Sequence, residues 1–104
     1  MYCYTYMAKL MTIEMKNIGI VLDSRPAGRE AFLAMQPRLR DAANVELDFD
    51  GVKVLTPSFA DEFVTPLIEK YGDHITFLHT TKNITVQKTL RFLAEDWPVK
   101  IDFQ

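Results

Sequence analysis

The segment VELDFDGVKVLTPSFADEFVTPLIEKY, residues 45–71, limits the fold more than any other part of the chain. Val45, Leu47 and Phe49 alternate with Glu46, Asp48 and Asp50, and a period of two is that of a half-buried strand. Asp50-Gly51 is a turn pair, because glycine adopts positive φ and aspartate bonds its own backbone. The run from Val52 to Leu55 then meets Thr56-Pro57-Ser58, where a helix can begin in two ways. Either Thr56 caps it with Pro57 at the first helical position, or Ser58 caps it with Asp61 and Glu62 in the first turn. Phe59, Phe63, Leu67 and Tyr71 follow at helical spacing, as do Ala60, Val64 and Ile68. A strand therefore feeds a helix through a short polar elbow, which reads as a solvent-facing recognition ridge.

Upstream, residues 1–9 carry three tyrosines and a cysteine without turn signals. They read as a strand edge or an untied terminus, with Met7 and Met11 as alternative starts. Residues 10–15 alternate, residues 17–19 can turn the chain, and Ile20-Val21-Leu22 is a second apolar run. Together they predict a hairpin. Asp23 or Ser24 caps the next helix, whose stripe of Ala27, Ala31, Met35 and Leu39, flanked by Phe32, faces a sheet. Pro37 lies inside that pattern and removes a bond to Leu33, so the helix is expected to kink there or to break in two.

Downstream, Pro66 removes a bond to Glu62 and predicts a bend near Thr65, and Gly72 terminates the helix. Ile75, Phe77 and Leu78 form a further strand. Residues 80–83 supply the next cap, and Val86, Leu90, Leu93 and Trp97 mark a final amphipathic helix over residues 87–96, ended by Pro98. Val99, Ile101 and Phe103 alternate as a last edge strand. Strands followed by helix, strand, helix, strand, helix give an α/β layer fold bordering on α+β.

At 104 residues the chain is one domain, with room for one core. Its 48% hydrophobic and 25% charged shares are those of a globular protein. A net charge of −2 supplies no basic surface for nucleic acid. The single cysteine, Cys3, rules out an internal disulfide framework and fits a reducing cytoplasm. No apolar run has membrane-spanning length, and the N-terminus lacks a basic-then-apolar signal pattern. A cytoplasmic protein without membrane or nucleic-acid partners is the expectation.

The run Leu47-Asp48-Phe49-x-Gly51-Val52, followed by Ser58-Phe59-Ala60-Asp61-Glu62-Phe63, resembles the signature of the STAS-like domains of unknown function. This bacterial group is related to the STAS domains of anti-sigma factor antagonists and sulfate transporters. Ser24-Arg25 is similar to a further feature of the group, and the resemblance extends over roughly residues 11–93. It implies a mixed sheet of about four strands with three main helices packed on it. It also implies binding and switching rather than turnover. In the antagonists the elbow reads Asp-Ser-Ser-Gly, and its second serine is phosphorylated by a kinase-like anti-sigma factor. Here Thr56, Pro57 and Phe59 stand at the Asp, the first Ser and the Gly, so only Ser58 carries over.

Ser58 thus has two readings, a phosphoacceptor at a helix start and a capping serine. Asp61 and Glu62 suit the positive end of the helix dipole. Being adjacent, they point about 100° apart and do not converge as an acid–base pair. With Thr56 and Phe59 they are candidates for partner contact. Asp48 and Asp50 share a strand face about 7 Å apart. A Mg²⁺ pocket would need a third acid and a lysine beside them, so a solvated polar face is the simpler reading. His74 and His79 have no further ligands at metal spacing. No Gly-x-Ser-x-Gly elbow accompanies Ser58 and His79, and Cys3 has no activating partner. Arg25 follows a cap, where the dipole disfavours a cation, so it is expected to bond Asp48, Asp50 or Asp61, or else an anionic group on a partner or ligand.

These readings predict a regulatory, protein-binding module without catalytic residues, metal or cofactor. Its surface would centre on residues 56–63, with a kinase-like ATPase as the candidate partner. Two alternatives come from other classes. One is a small-ligand-binding or small enzymatic domain using Arg25, Asp48 and Ser58 around a pocket. The other is a self-associating structural subunit joined through the last edge strand.

Overall fold

Strand alternation and helical periodicity resolve into eight elements in a computed structural model, which describes residues 9–101 and 103. In chain order they are β1 (Leu10–Glu14), β2 (Val21–Leu22), α1 (Arg25–Leu39), β3 (Asn44–Asp48), β4 (Val54–Leu55), α2 (Pro57–Tyr71), β5 (Ile75–Leu78) and α3 (Ile84–Ala94). Single 3-10 turns follow β1 at Met15–Asn17 and α2 at Gly72–His74. The expected signatures at residues 1–8, Cys3 among them, lie outside the described residues.

Among the described residues all strand pairing is parallel. One sheet has the order β1-β3-β5, and a smaller one pairs β2 with β4. Glu14 stands opposite Asp48, and Val21 opposite Val54. The chain from β1 to β2 therefore runs alongside the chain from β3 to β4, as two interrupted strands side by side. The first interruption is one residue longer than the second. Gly51 turns the second with φ +87°, a conformation glycine adopts without strain. The mixed α/β architecture with three helices agrees with the sequence reading, but α1 packs chiefly on α2 rather than on a sheet, and of its expected stripe Ala27 is exposed and only Leu39 is fully buried.

The hairpin does not form. Residues 15–17 make a helical turn in which the amides of Ile18 and Gly19 donate to the Met15 carbonyl. That turn buries Met15 completely and carries the chain onward instead of reversing it. β1 and β2 each pair with a later strand in consequence.

Burial follows the alternation. Ile13, Val45, Leu47, Ile75 and Phe77 are buried, whereas Thr12, Glu46 and Thr76 between them reach solvent, with Thr12 donating to Glu46 at 2.9 Å. One face of the larger sheet is thus core and the other polar. α2 buries Phe59, Ala60, Phe63, Val64, Leu67 and Ile68, two adjoining stripes at i, i+4 spacing. Trp97 stacks on Phe77 at 6.0 Å and donates to the Thr65 hydroxyl at 3.0 Å.

α3 does more than cover the core. Thr85 Oγ1 accepts from the Leu55 amide, Thr89 Oγ1 donates to the Leu55 carbonyl, and Asn83 Nδ2 donates to the Lys53 carbonyl. Asn83 also caps the helix by accepting from the amides of Thr85 and Val86. The helix starts earlier than the spacing predicted, and Trp97 lies beyond it in a turn closed by its amide on the Ala94 carbonyl.

Neither internal proline divides its helix. Pro37 falls in the last turn of α1, and α2 runs unbroken past Pro66. The expected last strand is reduced to one parallel bridge between Phe77 and Phe103, whose rings meet edge-on at 5.4 Å.

Gly28 sets the approach of α1 to α2. A Cβ there would stand 2.5 Å from the Phe59 carbonyl oxygen and 3.0 Å from Glu62 Cβ. Helix propensity favours alanine over glycine by about 1 kcal/mol, but overpacking against a backbone that cannot yield costs about 1–3 kcal/mol. Gly28→Ala is expected to lower stability by about 1–2 kcal/mol, read as a reduced urea midpoint at unchanged slope. A raised midpoint would show that the two helices separate freely.

Candidate functional site

The elbow begins at Thr56, which has extended backbone angles and caps α2 by accepting from the Phe59 amide at 3.3 Å. Its hydroxyl also reaches the Leu22 carbonyl at 3.3 Å, tying the start of α2 to β2. Of the two caps open in the sequence, Thr56 with Pro57 is the one formed, and Ser58 is the second helical residue. Asp61 and Glu62 consequently sit past the first turn, where the helix dipole holds them less strongly.

What holds them is Arg25. Its Nη1 lies 2.9 Å from Asp61 Oδ2 and 2.8 Å from Glu62 Oε2, and Arg29 Nε adds a contact of 3.3 Å to Glu62 Oε1. Two carboxylates that helix geometry directs apart are joined by one guanidinium reaching across from α1. Asp61 was among the expected partners of Arg25; Asp48 and Asp50 bond elsewhere. The hydrogen bonds to Asp61 and then Glu62 push the Arg25 pKa further up. The bond from Arg25, helped by Arg29 against the opposing effect of burial, holds Glu62 below the usual carboxylate range. The pairs are partly solvated, with the Arg25 side chain 50% exposed, so they orient the helix ends more than they stabilise them.

α1 is capped by Ser24, whose Oγ accepts from the Ala27 amide at 3.3 Å at a φ of 78°. Positive φ in a non-glycine residue is held only by its surroundings, and here it turns the end of β2 into the helix that carries Arg25.

Ser58 is partly exposed, and its hydroxyl has no hydrogen-bond partner among the described residues. Phe59 corrects an expectation. It is 1% exposed and stacks on Phe63 at 5.9 Å, so it anchors the elbow from within and offers no ring to a partner. A phenylalanine at the third helical position points wherever the helix axis sends it, and α2 lies on the core. The ridge therefore consists of Thr56, Ser58, Asp61, Glu62 and Arg25, with Arg29 added by the structure.

A second charged cluster lies at the ends of β3 and β5. Asp48 Oδ1 accepts from the Asp50 amide at 2.9 Å and meets His79 Nδ1 at 2.7 Å, while Asp50 Oδ1 meets Lys82 Nζ at 3.1 Å. Burial raises the Asp48 pKa, but the Asp50 amide, His79 and the charge of Lys16 outweigh it and leave the carboxyl below its ordinary value. His79 has a φ of 58°. The link was missed in the sequence because it depends on parallel register: Asp48 faces Leu78, and His79 is the next residue.

Among the described residues no three His, Cys, Asp or Glu side chains group closely enough to hold a metal ion. A cavity of about 400 Å³ beside Arg25 is lined by Pro26, Arg29, Glu30 and Leu33. Asp48 and Ser58 do not line it, so this cavity does not unite Arg25 with either of them.

Removing the cap should separate the two hydroxyls of the elbow. Thr56→Val is expected to cost about 1–2 kcal/mol, whereas Ser58→Ala should stay within about 0.5 kcal/mol; a larger loss for Ser58→Ala than for Thr56→Val in denaturant titrations would place the cap at Ser58. Asp48 predicts a pH dependence. A carboxyl depressed in the folded state contributes stability above its ordinary value, here 3.8, and loses it as pH falls through the folded value. The stability gap between the protein and Asp48→Asn should accordingly narrow on acidification from about pH 6 to about pH 3. A constant gap would mean that the Asp48 carboxyl is not held below its ordinary value by the Asp50 amide and His79 in solution.

A family model described as a STAS-like domain of unknown function matches residues 27–89. The match runs from the first turn of α1 into α3 and includes the whole elbow, though not Arg25, and it is narrower than the resemblance drawn from the sequence. No curated protein and no solved structure matches the chain significantly. No helix among the described residues is long and apolar enough to cross a membrane. With the strand–elbow–helix unit lying inside a match over more than half of its length, the chain belongs to the family of STAS-like domains of unknown function.

Proposed function

We propose that this domain is a non-catalytic regulatory module that docks a protein partner through the ridge formed by Thr56, Ser58, Asp61, Glu62 and Arg25. We further propose that phosphorylation of Ser58 by a kinase-like ATPase switches the docking. The observation that carries this reading is the unpartnered Ser58 hydroxyl one helical turn from the carboxylates that share Arg25. Residues three and four apart on a helix are neighbours, so a phosphate on Ser58 would stand beside Asp61 and Glu62. It would bring nearly two negative charges and three strong acceptors. Arg25 is the nearby cation able to answer them, at the expense of its bonds to α2. A single modification would thereby change the charge of the ridge and loosen one tie between α1 and α2. Regulation fits better than turnover at the ridge, because Asp61 and Glu62 are both engaged by Arg25, a partner that does not give up its proton.

The expected outcome is a phosphate on Ser58 in protein isolated from its native cells, mapped by tandem mass spectrometry and missing from Ser58→Ala. An unmodified Ser58 under both growth and stress conditions would remove the switch. Docking is checked separately with a photo-crosslinking residue at position 58 or at the polar sheet position Thr76. Partner adducts at 58 and none at 76 are expected, and the reverse pattern would end the docking proposal.

A further inference from the structure

Strand edges are treated unequally in this fold. On β4, the backbone groups of Lys53 and Leu55 that turn away from β2 are met by Asn83, Thr85 and Thr89 of α3. On β2, the carbonyls of Ile20 and Leu22 accept from Val54 and Thr56 on the inner side. Alternate residues of a strand direct their N–H and C=O groups to opposite sides, so the amide and carbonyl of Val21 point outward. No described residue bonds to them there, and Val21 is 51% exposed.

Beside this edge runs a groove of about 310 Å³ between β2 and α1. Its apolar wall is made by Ile18 and the alanines Ala27, Ala31 and Ala34, with the buried Leu22 and Phe59 beneath them. Small side chains on consecutive turns of α1 leave room for another backbone to come close. The charged groups on the groove are Asp23 and Glu30, and neither has an ion-pair partner among the described residues. By contrast, the carboxylates of the elbow ridge are bound to arginines. An unpaired strand edge, an apolar trough and two uncompensated acids are complementary to one kind of ligand, an extended basic peptide added as a strand.

We propose that the outer edge of β2 and the β2–α1 groove bind an extended segment of a partner protein, one that carries alternating small aliphatic residues and at least one lysine or arginine. The Val21 amide and carbonyl pair with the segment's backbone. Its inward side chains fill the trough over Ala27, Ala31 and Ala34, and its cation meets Asp23 and Glu30. This surface goes beyond the elbow ridge and does not require modification of Ser58.

The probe is a fluorescein-labelled synthetic peptide of alternating valine and lysine, compared with its valine–glutamate counterpart by fluorescence anisotropy. The full chain is expected to bind the lysine peptide at least about tenfold more tightly. Proline is tolerated on a strand edge where the missing N–H faces outward. Val21→Pro should therefore fold, with an unchanged circular dichroism spectrum, and lose binding by about tenfold. Asp23→Asn with Glu30→Gln, which leaves β2 intact, should weaken the lysine peptide by a similar factor. Should Val21→Pro fail to fold, amide hydrogen exchange on the unaltered protein decides: the Val21 amide must become protected when the peptide is added. Equal binding of both peptides, undiminished binding by Val21→Pro, or an unprotected Val21 amide in the complex would overturn the proposal. Protection of Val21 that rises with protein concentration in the absence of peptide would also overturn it, by assigning the edge to a second copy of the chain.

Discussion

Burial of α2 is the constraint on which the rest of the structure depends. Its two adjoining apolar stripes, Phe59-Phe63-Leu67 and Ala60-Val64-Ile68, are all but inaccessible to solvent. A band that broad cannot be covered by a single neighbour. At about 25 cal/mol for each Å² of apolar surface removed from water, leaving one stripe exposed would cost a domain of this size most of its margin. α2 is therefore enclosed by α1, α3 and β5. Glycine at position 28 permits the approach of α1, and the Thr65–Trp97 hydrogen bond fastens the segment following α3. The elbow follows from the same requirement. Thr56 has to start α2 where its first turn can bury Phe59, and its hydroxyl fixes that point against the end of β2.

Two clusters of charged side chains tie neighbouring elements of this protein together. At the ridge, Arg25 spans two carboxylates from α2 and bridges the beginning of α1 to that helix. At the end of the larger sheet, Asp48 meets the His79 ring and Asp50 the Lys82 ammonium, both from beyond β5. Such partly solvated pairs contribute modestly to stability. Their effect is to define geometry: the ridge keeps Ser58 beside two ordered carboxylates, and the sheet-end pairs bind the turn after β3 to the turn after β5. A charged group arriving at the ridge would compete for Arg25 within an arrangement already set.

The interrupted strands explain how so short a chain makes an all-parallel arrangement. Parallel strands need crossovers, and here α1 and α2 supply them. Each strand of the first pair is extended past its break by two further residues, which pair again. The smaller sheet carries the helices' starting points, so the residues preceding α1 and α2 are brought side by side. That proximity lets Thr56 reach Leu22 and lets Arg25 reach Asp61.

Much of this was legible in the residues themselves. The alternation of 45–49, the elbow, the Asp50-Gly51 turn, the stripes of α2 and the caps before α1 and α3 are local signals, set by steric preference and by which side chains avoid water. The same stretch lies inside the family match over residues 27–89. Pairing was not legible, because a strand's period of two says which face is buried and nothing about which strand lies beside it. For that reason a predicted hairpin became two parallel pairs, Phe59 passed from the surface to the core, and Asp48 met His79 across a register no local pattern encodes. Identity of the elements came from short-range chemistry along the chain; the neighbours of Arg25, the partner of Asp48 and the pairing of β2 with β4 were decided by tertiary packing, since contacts between distant residues form only where burial of the shared core brings their elements together.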